Sequence, residues 1–251
     1  MATRSDGRAL SGASPGAGSP TDILPNSWRE LGLYVAGGFG VFFVGSLLLN
    51  LIFDEVTLAA SVAVYALNVL CLGGAAYVLG VRRPGRTWAA FGLRPFNAAW
   101  LWVALMAAGA SLPLRVGAAL LAQWLSGGSL ADLQPRLDLV TPDGPLAVTF
   151  AVTLLGAGLL APLAEELYFR GLLQGWLRTR FGFWPVVVLS AGLFALGHFD
   201  SLPVMASTFF LGLICAAAVE RGRSVWLGVL IHAANNSLAV GLVYAALAVG
   251  G

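Results

Sequence analysis

The sequence predicts an all-α fold, a polytopic transmembrane helical bundle of about seven spans. Three observations lead there. Of 251 residues, 58% are hydrophobic and only 10% are charged, against roughly 25% charged in a soluble domain. Apolar runs recur that are long enough to cross a hydrocarbon core of about 30 Å. The arginines fall mainly in alternate loops between those runs.

Residues 1–28 come first. The stretch Ser11 to Pro25 is rich in Gly, Ser and Pro and lacks the apolar region of a secretory signal. It reads as a disordered cytoplasmic tail. Apolar segments follow at 31–53, 57–80, 98–122, 146–177, 183–199, 203–219 and 224–248. They divide into N-terminal transmembrane helices over 29–125 and a second transmembrane core over 145–248. Pro113 is expected to kink the third segment, with Arg115 near its outer end and 116–125 along the outer interface.

Loop charges orient the chain. Arg29 precedes the first segment, and Arg82, Arg83, Arg86 and Arg94 follow the second. Arg178 and Arg180 follow the fourth, Arg221 and Arg223 the sixth. The alternate loops carry Asp54 and Glu55, then Asp132, Asp138 and Asp143 with Arg136, then Asp200. The bias puts the N-terminus in the cytoplasm and the C-terminus outside. No basic stripe or repeat suggests a nucleic-acid partner. Cys71 and Cys215 lie in apolar runs and read as small buried hydrophobes.

An ionisable side chain within a span costs several kcal/mol and usually marks function. The fourth segment holds Glu165, Glu166 and Arg170; the fifth ends in Phe194-x-x-x-His198; the seventh holds His232-x-x-x-Asn236 with Asn235 beside it. The chain has two histidines, and both lie here. At about 1.5 Å per helical residue from the cytoplasmic boundary, Glu165 lies about 20 Å deep, His198 about 22 Å, His232 about 12 Å and Asn236 about 18 Å. Side-chain reach and tilt can bring these together. Pro162, one turn before the glutamates, leaves a carbonyl without its usual donor. Glu166 and Arg170 are i,i+4 and can pair, while Glu165 points about 100° away toward the face of Phe169. His232 and Asn236 are i,i+4 and address one point. Ser190, Ser207 and Ser237 are expected to bond back to their own helices.

The set Glu165-Glu166-x-x-x-Arg170, Phe194-x-x-x-His198 and His232-x-x-x-Asn236, in that order on three helices, resembles the CPBP family. That family comprises CAAX prenyl endopeptidases and bacteriocin-processing or immunity proteins. Trp88-Ala89-Ala90-Phe91-Gly92-Leu93-Arg94 also resembles its cytoplasmic loop. The resemblance covers about residues 145–240 and implies a CAAX-protease-like core in a bacterial cytoplasmic membrane. It implies Glu165 as the residue that activates water, His198 and His232 as ligands or proton carriers, and Asn236 as the oxyanion stabiliser. Glu166, Arg170 and Phe194 are implied as supporting residues.

Amide hydrolysis needs an activated water, a stabilised oxyanion and an acid for the leaving amine, and this residue set offers all three. The substrate would be a peptide or membrane protein, CAAX-type prenylated or not. A catalytically idle scaffold or immunity protein and a proton-coupled transporter stay open as alternatives. Zinc on Glu165, His198 and His232 and a metal-free Glu/His mechanism both fit the sequence. Each His has its own helix, unlike His-Glu-x-x-His zinc sites, and Asn236 is a poor zinc ligand.

Overall fold

The computed structural model describes residues 27–82, 87–89, 91–129 and 133–250. Most of the expected tail, together with Arg83, Arg86, Ala90 and Asp132, lies outside them. The described chain is a helical bundle: α1 Trp28–Ile52, α2 Leu58–Val81, α3 Ala99–Ser126, a short α4 Gln134–Val140, α5 Leu146–Arg178, α6 Phe183–Leu196, α7 Leu202–Gly222 and α8 Val225–Gly250. Six are long and apolar enough to cross a membrane, and α6 is a shorter apolar helix. Large apolar side chains such as Leu51, Met106, Leu120, Leu155 and Leu242 point outward. A soluble surface rarely tolerates such a belt, whereas lipid requires it. The protein is an integral membrane protein.

Three expectations change. The third segment is not interrupted: α3 runs as one helix to Ser126 with Pro113 inside it. The fifth segment is shorter than its apolar run. α6 stops at Leu196, and His198 lies in the turn that follows. The loop before α5 is partly helical. It contains α4, whose last carbonyls are capped by side chains of three spans. Leu139 O accepts from Tyr65 Oη (2.8 Å) and Ser61 Oγ (3.1 Å), and Val140 O from Thr153 Oγ1 and Tyr244 Oη, both at 3.0 Å. A helix end leaves unpaired carbonyls, and in an apolar setting they need such donors. Their depth along α2, α5 and α8 draws α4 into the bundle.

The Arg-bearing loops share one end. There Trp176 Nε1 donates to Ser27 O at 3.2 Å, and Arg180 lies over the rings of Trp28 and Trp176. Arg178 and Gln174 converge on Glu220, joining α5 to α7. The loop around Phe91 wedges in at this end. The Phe91 ring sits where a Cβ on Gly80 or Gly171 would stand. Gly92 adopts φ +101°, accessible to glycine at little cost, and its carbonyl accepts from Val225 N at 2.8 Å. Ser224 Oγ donates to Arg94 O at 2.6 Å. The loop therefore fixes where α8 begins. At the opposite end Thr57 bridges to Asp143, and Arg136 pairs with Asp200. The main apolar core lies between, built on Tyr34, Tyr168, Phe169, Trp176, Phe194 and Ile231.

Candidate active site

The site is built on α5, which crosses the centre of the bundle. Two of its stretches, Leu154–Leu160 and Leu167–Leu173, take the wider π-helical winding. π-Turns inside helices often accompany functional sites. Between them lies Ala161–Glu166, opening with Pro162 and closing with the two glutamates.

The two acids part as their spacing predicts. Glu166 turns into the protein, 0% exposed. Its Oε2 accepts from Arg170 Nε at 2.9 Å, and Arg170 is itself 1% exposed. Arg170 Nη1 then donates to Ser190 Oγ on α6 at 2.7 Å, and Ser190 donates to Gln174 Oε1 at 2.9 Å. Ser190 is thus not turned back on its helix; it is the inter-helix partner of a buried cation. Gly228 on α8 leaves the room for this carboxylate, since a Cβ there would collide with Glu166 Oε2.

Glu166 does more than pair with Arg170. Its Oε1 lies 3.1 Å from His232 Nδ1. A carboxylate facing that nitrogen accepts its proton in a hydrogen bond, so the other ring nitrogen, Nε2, is turned to the cavity side. His232 Nε2 stands 3.8 Å from Glu165 Oε2. The second oxygen of Glu165 accepts from Asn68 Nδ2 on α2 at 2.9 Å. One glutamate therefore orients the imidazole, and the other meets its far edge. The ring of Phe194 packs edge-on to His232 at 5.4 Å and against His198 at 4.7 Å. His198 Nδ1 lies 2.9 Å from Phe194 O, which leaves its Nε2 for the cavity.

Asn236 lies one turn beyond His232. Its Nδ2 donates to Ala157 O at 3.1 Å, and Ser237 Oγ donates to Gly158 O at 3.3 Å. Two cavities meet at these residues. The larger, about 950 Å³, holds Glu165, Asn68, His198 and Asn236 among apolar walls that include Phe39, Phe43 and Phe169. The smaller, about 340 Å³, holds His232, His198, Asn236 and Arg115. Arg136 and Val140 of α4 line both. The predicted residues Glu165, His198, His232 and Asn236 are thus brought to one junction, with Glu166, Arg170 and Phe194 behind them.

The candidate metal set behaves differently. Among the described residues, no group of three His, Cys, Asp or Glu side chains is placed to hold a metal ion. Each imidazole has its Nδ1 on a protein oxygen and its Nε2 free, the state in which an imidazole can act as a ligand or as a proton carrier. As arranged, Glu165, His198 and His232 are not gathered into a three-ligand set, and no step below runs through a metal.

Asn68, Arg115 and Arg136 complete the surroundings of the site, and the sequence reading did not assign them. Asn68 had a signal: an amide in the middle of an apolar run is itself costly in a bilayer. Arg115 had the same signal, a cation inside the third apolar run, whereas Arg136 had none, because only the folded position of α4 brings it inward.

The helical membrane bundle thus brings a buried pair of glutamates, two histidines and an amide to one cavity junction. Residues 147–238 match the family model described as Rce1-like, "Type II CAAX prenyl endopeptidase Rce1-like". Over that stretch the resemblance read from the three motifs is borne out. The family is one of proteases. A curated Escherichia coli protein described as "Uncharacterized 24.3 kDa protein" is 34% identical over 91 residues, 35% of this chain. The match spans 42% of that relative's length. No solved structure matches the chain.

Proposed function

We propose that this protein is an intramembrane endopeptidase that hydrolyses a peptide bond with a water activated by Glu165. The observation that carries the reading is the facing of Glu165 Oε2 and His232 Nε2 across 3.8 Å, at the junction that Asn236 also lines. A gap of that width suits a water bonded to both. In the reaction, Glu165 takes one proton from that water, and its oxygen attacks the scissile carbonyl carbon. The carbonyl oxygen becomes an oxyanion, which Asn236 Nδ2 meets with the hydrogen not used on Ala157. The C–N bond then breaks, and Glu165 returns the proton to the leaving nitrogen. His232, held by Glu166, keeps the water in line, and His198 borders the opposite side of the junction. The apolar walls of the larger cavity suit a membrane-associated substrate, and a CAAX-type prenylated peptide is one that would fit.

The test is cleavage of a peptide library, with prenylated and unprenylated members, by purified protein reconstituted in bilayers. Wild type is expected to cut a subset, and Glu165→Ala none. No cleavage by wild type, or equal cleavage by the variant, overturns the reading.

A further inference from the structure

Arg115 is a cation held inside the bundle by neutral partners. From α3 it reaches α7 and α8 at once. Its Nε donates to Ser207 Oγ at 3.1 Å, and its Nη1 donates to Asn235 Oδ1 and, at 3.5 Å, to Asn236 Oδ1. Among the described residues it has no carboxylate partner. Ser207 is thereby an inter-helix acceptor. Asn235 is pinned from its other side as well, since its Nδ2 donates to Ala108 O at 3.2 Å and to Ser111 Oγ. The guanidinium therefore rests on a fixed frame. A cation in a span without a counter-ion is costly and points to use.

We infer that Arg115 is a positioning residue for the hydrolysis, acting through Asn236. The inference rests on the oxyanion role given to Asn236 above. A side-chain amide has two flips, distinguished by their hydrogen bonds. With Oδ1 toward Arg115 and Nδ2 toward Ala157 O, donor meets acceptor on both sides. The reverse flip sets NH₂ against the guanidinium and oxygen against the carbonyl. Arg115 thus selects the flip that offers an N–H to the junction. Its positive charge, in no salt bridge among the described residues, also stands behind that amide, where negative charge develops in the transition state.

The experiment compares Arg115→Met, Arg115→Gln and Arg115→Lys with wild type in nanodiscs. The probe is a quenched fluorescent farnesylated CAAX-type peptide, as free acid and as C-terminal amide. Removing one preorganised oxyanion donor costs about 10²–10³ in kcat. A residue acting behind that donor is expected to cost less, about tenfold to a hundredfold for Met, with KM unchanged. Gln, which keeps an N–H donor, and Lys, which keeps the charge, each recover part. In an Asn236→Ala background, Arg115→Met adds less than about threefold, because its effect passes through the amide. Effects that multiply fully overturn the proposal. So does a loss confined to KM that disappears with the amidated peptide, which would make Arg115 an anion subsite. A readout independent of activity is the side-chain amide spectrum of protein labelled with ¹⁵N-asparagine. Arg115→Met and Arg115→Gln are expected to shift the Asn236 signals, and unchanged signals overturn the proposal. Failure of wild type to cut any peptide sinks the proposed function instead, and the amide spectrum still decides the contact.

Discussion

Asn236 donates its amide to the carbonyl of Ala157, 3.1 Å away on a neighbouring helix. Pro162 leaves room for this bond. Around Ala157 the helix is wound in the π register, with Ala161 N donating to Gly156 O. The next donor in that register, due on Ala157 O, would be residue 162, and proline has no N–H. The ordinary register would send the same missing donor to Gly158 O, and that carbonyl is met by Ser237 Oγ. One donor is thus missing across these two carbonyls, and consecutive residues of α8 donate to them. Pro162→Ala is expected to return the N–H and let the backbone compete for these carbonyls. An interior proline costs a helix about 3 kcal/mol, so the variant should melt higher. It should also lose activity, by up to about tenfold for one hydrogen bond worth about 0.5–1.5 kcal/mol. A higher melting temperature with unchanged kcat counts against this account.

Arg170→Ala removes the partner of a carboxylate that is 0% exposed. Breaking a buried pair from one side typically costs about 3–5 kcal/mol. Lower yield and an earlier thermal transition in detergent are expected, together with lost cleavage. Glu165→Gln keeps a side chain of the same shape in the cavity. It should fold like wild type and fail to cleave. Two variants of equal, normal stability would remove the distinction between the glutamates.

Asn68→Leu tests the donor to Glu165. Hydrogen bonds to charged groups are worth about 1.5–3 kcal/mol, so cleavage should fall by roughly tenfold to a hundredfold, with expression unchanged. Activity equal to wild type in steady-state kinetics would show that the amide is dispensable.

Chelation tests the metal-free mechanism. Full cleavage is expected after exhaustive dialysis against a chelator, with less than about a tenth of an equivalent of transition metal by elemental analysis. Loss of activity that zinc alone restores, at one equivalent, would require Glu165 and the imidazoles to move into a ligand set.

Reporter fusions after Arg86, Asp138, Arg180 and Gly251 should read inside, outside, inside and outside. The expectation follows from the Arg-bearing loops that gather at one end of the bundle. A cytoplasmic reporter at Gly251 would invert the assignment of α8.

The sequence by itself determined the solvent, the seven apolar segments and the chemical cast. Low charge and long apolar runs leave a chain no wet surface to build, so helices that pair their own backbone in lipid are what remains. Ionisable residues are costly in those runs, so Glu165, Glu166, Arg170, His198 and His232 stood out before any fold was known. Helical spacing alone also separated Glu165 from the Glu166–Arg170 pair. Only the tertiary structure decided who touches whom across helices. His232 is linked to Glu166 as well as facing Glu165, Asn68 reaches Glu165 from α2, and Arg115 reaches Asn236 from α3. The periodicity of one helix gives a direction around its own axis, but not the rotation and depth of its neighbour. Those are set by close packing, such as the Phe91 wedge on Gly80 and Gly171 and the space that Gly228 leaves for Glu166. Such contacts join residues far apart in the chain, and no local pattern encodes them.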